Sequence, residues 1–230
     1  MAKKIKRRKH HEIKEDKFVT SAFLVSEFVS EHWKKLALAA AAIIVLVIII
    51  IAVTARAGNV QRVTLVQFDE ALRLYKNGEL NKAEEAFLEI INEYGSSKYR
   101  DISYIYLGKI NLEKDSIDVE LARDYFMKAR SKVSTNLMKE AAWMGLAQCD
   151  RLEMGDAVYY EDLEKILKKF PKSYNVPQLA FDIAEYYFEN ENYSKAKKYY
   201  KVIRDNYPSS NHYMSSGRQL EFIESLEQGA

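Results

Sequence analysis

The side chains best suited to catalysis or metal binding are sparse and poorly grouped in this sequence. Histidines stand only at positions 10, 11, 32 and 212, and the one cysteine is Cys149. His10 and His11 are adjacent and could touch a metal ion, but they lie in a densely charged stretch, where a solvated pair is the plainer reading. A lone thiol cannot close a disulfide within the chain or build a site of several thiolates. Cys149 falls in a helical pattern with Ala142, Leu146 and Leu152, which reads as a small buried hydrophobe. The acid pairs Glu84-Glu85 and Glu161-Asp162 read as solvated charge on the exposed sides of helices. No glycine-rich phosphate loop, His-x-x-x-His pair or nucleophile elbow occurs. Catalytic, cofactor and metal sites are therefore not expected, and the chemistry to look for is recognition.

The elements that would hold a recognition surface follow from composition. The chain has 230 residues, 16 Tyr and 10 Phe, but only 8 Gly and 3 Pro. Bulky apolar material with few turn formers favours an all-α domain over a sheet that needs many tight turns. Net charge is +2, unevenly spread: residues 1–35 hold ten Lys and Arg against five Asp and Glu, and the part after residue 55 is mildly acidic.

From Leu36 to Val53 every residue is Ala, Leu, Ile or Val. With Thr54 and Ala55 this makes a helix of about 30 Å at roughly 1.5 Å per residue, enough to cross a hydrocarbon core. Trp33, Lys34 and Lys35 form an interfacial anchor at one end, and Arg56 closes the other. Lys3, Lys4, Lys6, Arg7, Arg8, Lys9, Lys14 and Lys17 precede the span, so the positive-inside rule keeps the N-terminus cytoplasmic and sends the large C-terminal part across. A nucleic-acid role for this run is disfavoured because it lacks interleaved aromatics and a folded reader. A cleaved signal peptide, with Ala55-Arg56-Ala57 as its site, is disfavoured by the length of the apolar stretch, by the 35 residues that precede it and by the arginine inside the motif. Phe18, Ala22, Val25, Val29 and Trp33 recur at spacings of three and four, marking an amphipathic helix that either lies on the leaflet, docks on a membrane partner or simply extends the span.

A repeat appears in the C-terminal part. Ala83-x-x-x-Phe87-x-x-Ile90 returns as Ala122-x-x-x-Phe126-x-x-Ala129, as the degenerate Tyr159-x-x-x-Leu163-x-x-Ile166 and as Ala196-x-x-x-Tyr200-x-x-Ile203, at intervals of 39, 37 and 37 residues. Three copies are followed by Tyr94-Gly95-Ser96-Ser97, Phe170-Pro171-Lys172-Ser173 and Tyr207-Pro208-Ser209-Ser210. Each phrase follows another helix, carrying Ala71, Gly108, Ala147 or Ala184 at the matching place, where a small side chain lets paired helices approach. The expected organisation is a basic cytoplasmic tail over 1–17, an amphipathic juxtamembrane helix over 18–35, a transmembrane helix over 36–55 and a repeat domain over 61–226. The domain is expected to end in a capping helix, with Tyr213, Leu220, Phe222, Ile223 and Leu226 covering the last pair.

These features resemble the tetratricopeptide repeat, a helix pair with small residues at set places, an aromatic in the second helix and a terminal proline. The resemblance covers about residues 62–210. It departs from the pattern where Ile90, Ile166 and Ile203 replace a small residue, at Tyr159, and in copy two, which has extra residues within Lys114 to Glu120 and no terminal proline. With tail and span added, the whole chain resembles the ancillary SecYEG translocon subunit family of bacterial inner membranes, which carries a periplasmic repeat domain. The repeat part alone is also similar to outer-membrane assembly lipoproteins and to the periplasmic coordinator of the Tol system, but no lipobox cysteine is present.

The resemblance implies an α-solenoid of about four pairs behind a single inner-membrane span, with protein partners: translocon subunits, periplasmic chaperones or exported chains. The first helices would line a concave surface. Their inner places hold Phe68, Tyr75, Ile105, Lys109, Met144, Gln148, Phe181 and Phe188, a mainly apolar set suited to an apolar segment. The other reading of several of these is interhelical core. Two function classes stay open: a binding module for translocating or unfolded chains, and a structural scaffold for envelope assembly or division.

Overall fold

The structure is a computed structural model describing the backbone of residues 17–95 and 97–229 and the side chains of 26–95 and 97–228. Most of the basic tail, His10, His11, Ser96 and the side chains of Lys17, Phe18, Ala22 and Val25 lie outside the described residues.

Among the described residues the fold is all-α. Helix α1 (Lys17–Lys76) is followed by α2 (Leu80–Glu93), α3 (Lys98–Glu113), α4 (Val119–Lys132), α5 (Asn136–Met154), α6 (Asp156–Lys169), α7 (Val176–Glu189), α8 (Tyr193–Asn206) and α9 (Tyr213–Gly229). Contacts divide the chain into two units at Arg56/Ala57. In the first, the apolar stretch of α1 contains an 18-residue window of mean hydropathy 3.4, long and apolar enough to cross a membrane. Its side chains from Leu36 to Val53 are all exposed.

The second unit is a series of helix pairs, consistent with a tetratricopeptide-like solenoid: the end of α1 with α2, α3 with α4, α5 with α6, α7 with α8, and then α9. The repeated phrase explains the second helix of each pair. Its three key positions are the fourth, eighth and eleventh residues of α2, α4, α6 and α8, so they lie on one face. Ala83, Ala122 and Ala196 are buried, as are Phe87, Phe126, Leu163 and Tyr200, and Ile90, Ala129, Ile166 and Ile203. Each large side chain so buried contributes about 1.5–3 kcal/mol. The degenerate copy keeps the face except at Tyr159, which stays half-buried beneath the Arg151 guanidinium, 5.0 Å from its ring.

Local signals set the helix ends. Ser97, Asp118, Thr135 and Asn192 accept backbone N–H groups at the starts of α3, α4, α5 and α8. Gly78 and Gly155 turn the chain within the first and third pairs at φ +78° and +92°, where a side chain would be strained. The last pair makes its turn through Glu191, at φ +58°. The extra residues of copy two form the longer connection 114–118 between α3 and α4.

The core runs as three clusters, each shared by neighbouring helices. One joins Phe68 and Ala71 to Phe87, Ile90 and Leu107. The next centres on Phe126 between α3 and α5, and the last gathers α5 to α9 around Ile183, Tyr200 and Ile223. Helix α9 seals this end through Ile223, with Tyr213 and Leu220 half-buried. Phe222 and Leu226, expected in the seal, are more exposed, because they sit one turn apart on the same flank of the Ile223 stripe, although the Phe222 ring lies 5.8 Å from that of Phe188.

Candidate partner-binding surface

The surface is built around one ring. Phe126 of α4 is 1% exposed and is held between α3 and α5 by two glycines. A Cβ on Gly108 would come within 2.7 Å of the ring, and one on Gly145 within 2.2 Å, closer than any real contact. Neither position can carry a side chain without parting the helices. Gly108 belongs to the same pair as Phe126 and was legible as its small residue. Gly145 belongs to the next pair and was not, because Ala147 occupies the matching place in α5 and packs with Leu163 of α6.

Beside Phe126 opens a cavity of about 450 Å3. Leu112, Ala141, Met144 and Gly145 give it apolar walls, and Lys109, Glu113 and Gln148 stand around them. Lys109 and Glu113 are one turn apart on α3. The Glu113 carboxylate is occupied, accepting a 2.7 Å hydrogen bond from the Tyr75 hydroxyl of α1. Burial first, then this carboxylate, pushes the Tyr75 phenol well above its ordinary range. The Lys109 ammonium lies 5.6 Å from the Tyr106 ring and makes no ion pair among the described residues.

The eight residues expected at inner places separate into three groups. Lys109, Met144 and Gln148 meet at this cavity, and Tyr75 joins them through Glu113. Phe68 and Ile105 are 7% and 3% exposed and belong to the core. Phe68 packs on Phe87, Tyr99 and Tyr106 at 5.3–5.7 Å between ring centroids. Phe181 and Phe188 are half-buried on α7, Phe181 stacked on His212 at 4.3 Å and Phe188 against Tyr193 and Phe222.

A larger cavity of about 670 Å3 escaped sequence reasoning. It lies between the start of α5 and the α6–α7 connection, with Lys139, Lys169 and Lys172 around Leu137, Phe170 and Tyr174. The phrase Phe170-Pro171-Lys172-Ser173 signals the end of a repeat, and nothing in it points to a cavity. Beneath it, Glu140 is buried and accepts a 3.0 Å hydrogen bond from the Asn175 amide.

The acidic groups serve as braces. Glu84, expected on an exposed side, is half-buried and bonds Asn111 and Lys114. Arg123 of α4 reaches Asp150 at 2.8 Å and Glu153 at 2.6 Å on α5. Burial is the largest influence on Asp150; aided by the neighbouring Asp162 carboxylate, it outweighs Arg123 and raises the carboxyl's pKa. Burial pushes the Cys149 thiol up to about 11, which leaves it protonated and unreactive at neutral pH. Among the described residues no three His, Cys, Asp or Glu side chains gather as a metal site.

A family model described as tetratricopeptide repeat matches residues 179–210, which take in most of α7, all of α8 and the Tyr207-Pro208-Ser209-Ser210 end phrase. No curated protein sequence matches the chain significantly. The match makes the last helix pair similar to a module that binds proteins.

Proposed function

We propose that this chain is a membrane-anchored protein-interaction module. It would be held by one crossing of α1 and present its repeats on the periplasmic side of a bacterial inner membrane. The observation that carries the binding role is the match of the last pair to the tetratricopeptide repeat, together with the recurrence of the same buried face in the three preceding pairs. The apolar stretch of α1 supports the anchor, and the Lys and Arg excess before it supports a cytoplasmic N-terminus. On the whole-chain resemblance, its partners are translocon subunits, periplasmic chaperones or exported chains in transit.

The test has two arms. An alkaline-phosphatase fusion at Ala230 is active and a fluorescent cytoplasmic reporter there is dark; the reverse pattern overturns the topology. Crosslinking of the membrane-embedded chain followed by capture recovers translocon subunits, chaperones or a spread of exported chains. One stoichiometric division or outer-membrane assembly partner would instead make the chain a structural scaffold.

A further inference from the structure

The larger cavity, between the start of α5 and the α6–α7 connection, carries a surplus of positive charge. Lys139, Lys169 and Lys172 line it, and none of them has an ion pair among the described residues. The one carboxylate in the lining, Glu140, is buried and is engaged by the Asn175 amide. Three ammonium groups against one carboxylate leave two positive charges unmatched. Lys169 rests 5.1 Å from the Trp143 ring, which orients its ammonium without neutralising it. Beside these cations the cavity shows water its apolar side chains: Tyr174 is 77% exposed and Leu137 45%. Lysine next to exposed tyrosine and leucine suits the headgroup layer of a bilayer, where the charge meets phosphate and the apolar groups meet the acyl boundary.

The place of the cavity in the repeat unit points the same way. Successive helices reverse direction, so the α2–α3, α4–α5 and α6–α7 connections share one edge. At that edge Ser97 of the α2–α3 connection donates a 3.3 Å hydrogen bond to Gln61 of α1. Gln61 follows Ala55, the end of the uncharged stretch, by six residues. Six residues reach no more than about 22 Å however they are arranged. A bilayer that holds the apolar stretch is thus always within reach of this end of the edge, and the cavity lies two pairs further along it.

We infer that this cavity docks on the membrane that anchors the chain, taking the phosphodiester of an acidic phospholipid. The inference rests on the reading of α1 as a membrane anchor and names a second contact that the repeat domain makes with the same bilayer. The three lysines share the lipid's negative charge, and Tyr174 and Leu137 enter the interface beside it. A free phosphate would answer the lysines but leave both apolar side chains in water.

The test uses the full chain, labelled with an environment-sensitive dye at Asn136→Cys; buried Cys149 stays unlabelled. The chain is placed in nanodiscs of phosphatidylcholine, alone or mixed with phosphatidylglycerol, that carry a headgroup-spin-labelled lipid as quencher. The dye is quenched in the acidic discs and not in the neutral ones, and added salt releases it. Lys139→Gln, Lys169→Gln and Lys172→Gln each lower the ratio of docked to free domain about fivefold, as expected for one lysine at an acidic surface, while Lys172→Arg keeps it. Tyr174→Ser weakens docking without altering its salt dependence, and melting curves confirm that each variant is folded. Quenching that is equal in the two discs, or indifferent to the lysine changes, overturns the inference. So does release of the dye by millimolar glycerol phosphate, which makes the cavity a site for soluble phosphates, or capture of a glutamate-rich peptide where acidic lipid has no effect, which gives it to a protein partner. In these cases the chain remains in the discs and the anchor stands; a chain that elutes free of the discs overturns both.

Discussion

Gly145→Ala isolates the contact on which the α3–α5 surface rests. In an ordinary helix interior this change is favourable by about 1 kcal/mol, because alanine has the better helix propensity. Here the new Cβ would lie 2.2, 2.3 and 2.5 Å from three carbons of Phe126. The ring cannot retreat, since its other side already closes on Gly108, where a Cβ would be 2.7 Å away. Overpacking of a filled core costs about 1–3 kcal/mol, and a clamped ring belongs at the upper end. The net expectation is a loss of about 2 kcal/mol, or about 4–8 °C in Tm for a domain of this size. The assay is the thermal loss of far-UV circular dichroism of the full chain in nanodiscs. Phe126→Leu supplies the control. Alone it destabilises by about 1–2 kcal/mol, but with the ring gone Gly145→Ala becomes neutral or favourable, so the two changes couple by about 2 kcal/mol. A Tm that rises in Gly145→Ala, or two effects that simply add, would refute the clamp.

Asp162→Asn raises Tm at pH 7 by about 2 °C, because it removes a like charge beside Asp150 and loses only the ion pair of half-buried Asp162 with exposed Lys165. The folded pKa of Asp150 is raised, so its burden on stability is full above that pKa and is relieved as pH falls through it. The Tm advantage of Asp162→Asn over wild type therefore narrows as melting curves are taken from pH 7 downward, while Glu164, whose pKa is lowered, acts in the opposite sense in both. Asn175→Ala takes the amide donor from buried Glu140 and costs about 2 kcal/mol by thermal melting, and Glu140→Gln in that background recovers part of it. Phe68→Ala costs about 3 kcal/mol, as a core aromatic does, and an unchanged Tm would return Phe68 to the partner surface.

What was legible in the sequence depended on whether one residue or two distant ones make the feature. The second helices could be read because Ala83, Phe87 and Ile90, and their successors, lie on one helix and must share one face. The turns at Gly78 and Gly155 have a similarly local origin, a positive φ that suits glycine. The expectation for α9 was right about the helix and too broad about its face: Ile223 turns fully inward with Tyr213 and Leu220 beside it, while Phe222 and Leu226, one turn apart on one flank, stay exposed, Phe222 reaching only Phe188.

The surface was only partly legible because an inner place in a repeat does not fix how deep its side chain goes. Depth depends on what the next pair presents, and the pairs differ here. Ile105 lies below the surface because α5 covers it, while Lys109, one turn on, keeps its charge at the rim. Phe68 is roofed by Tyr99 and Tyr106 of α3, the first helix of the following pair, aromatic neighbours that no small-residue pattern announces. Gly145 is the clearest case. A mid-helix glycine costs about 1 kcal/mol against alanine, which reads locally as a defect. Its compensation lies 19 positions earlier, in a ring on the previous pair that needs the space. A glycine out of step with the repeat thus marks where one pair is fitted to another, and in this chain that place borders the cavity joining Lys109, Met144 and Gln148.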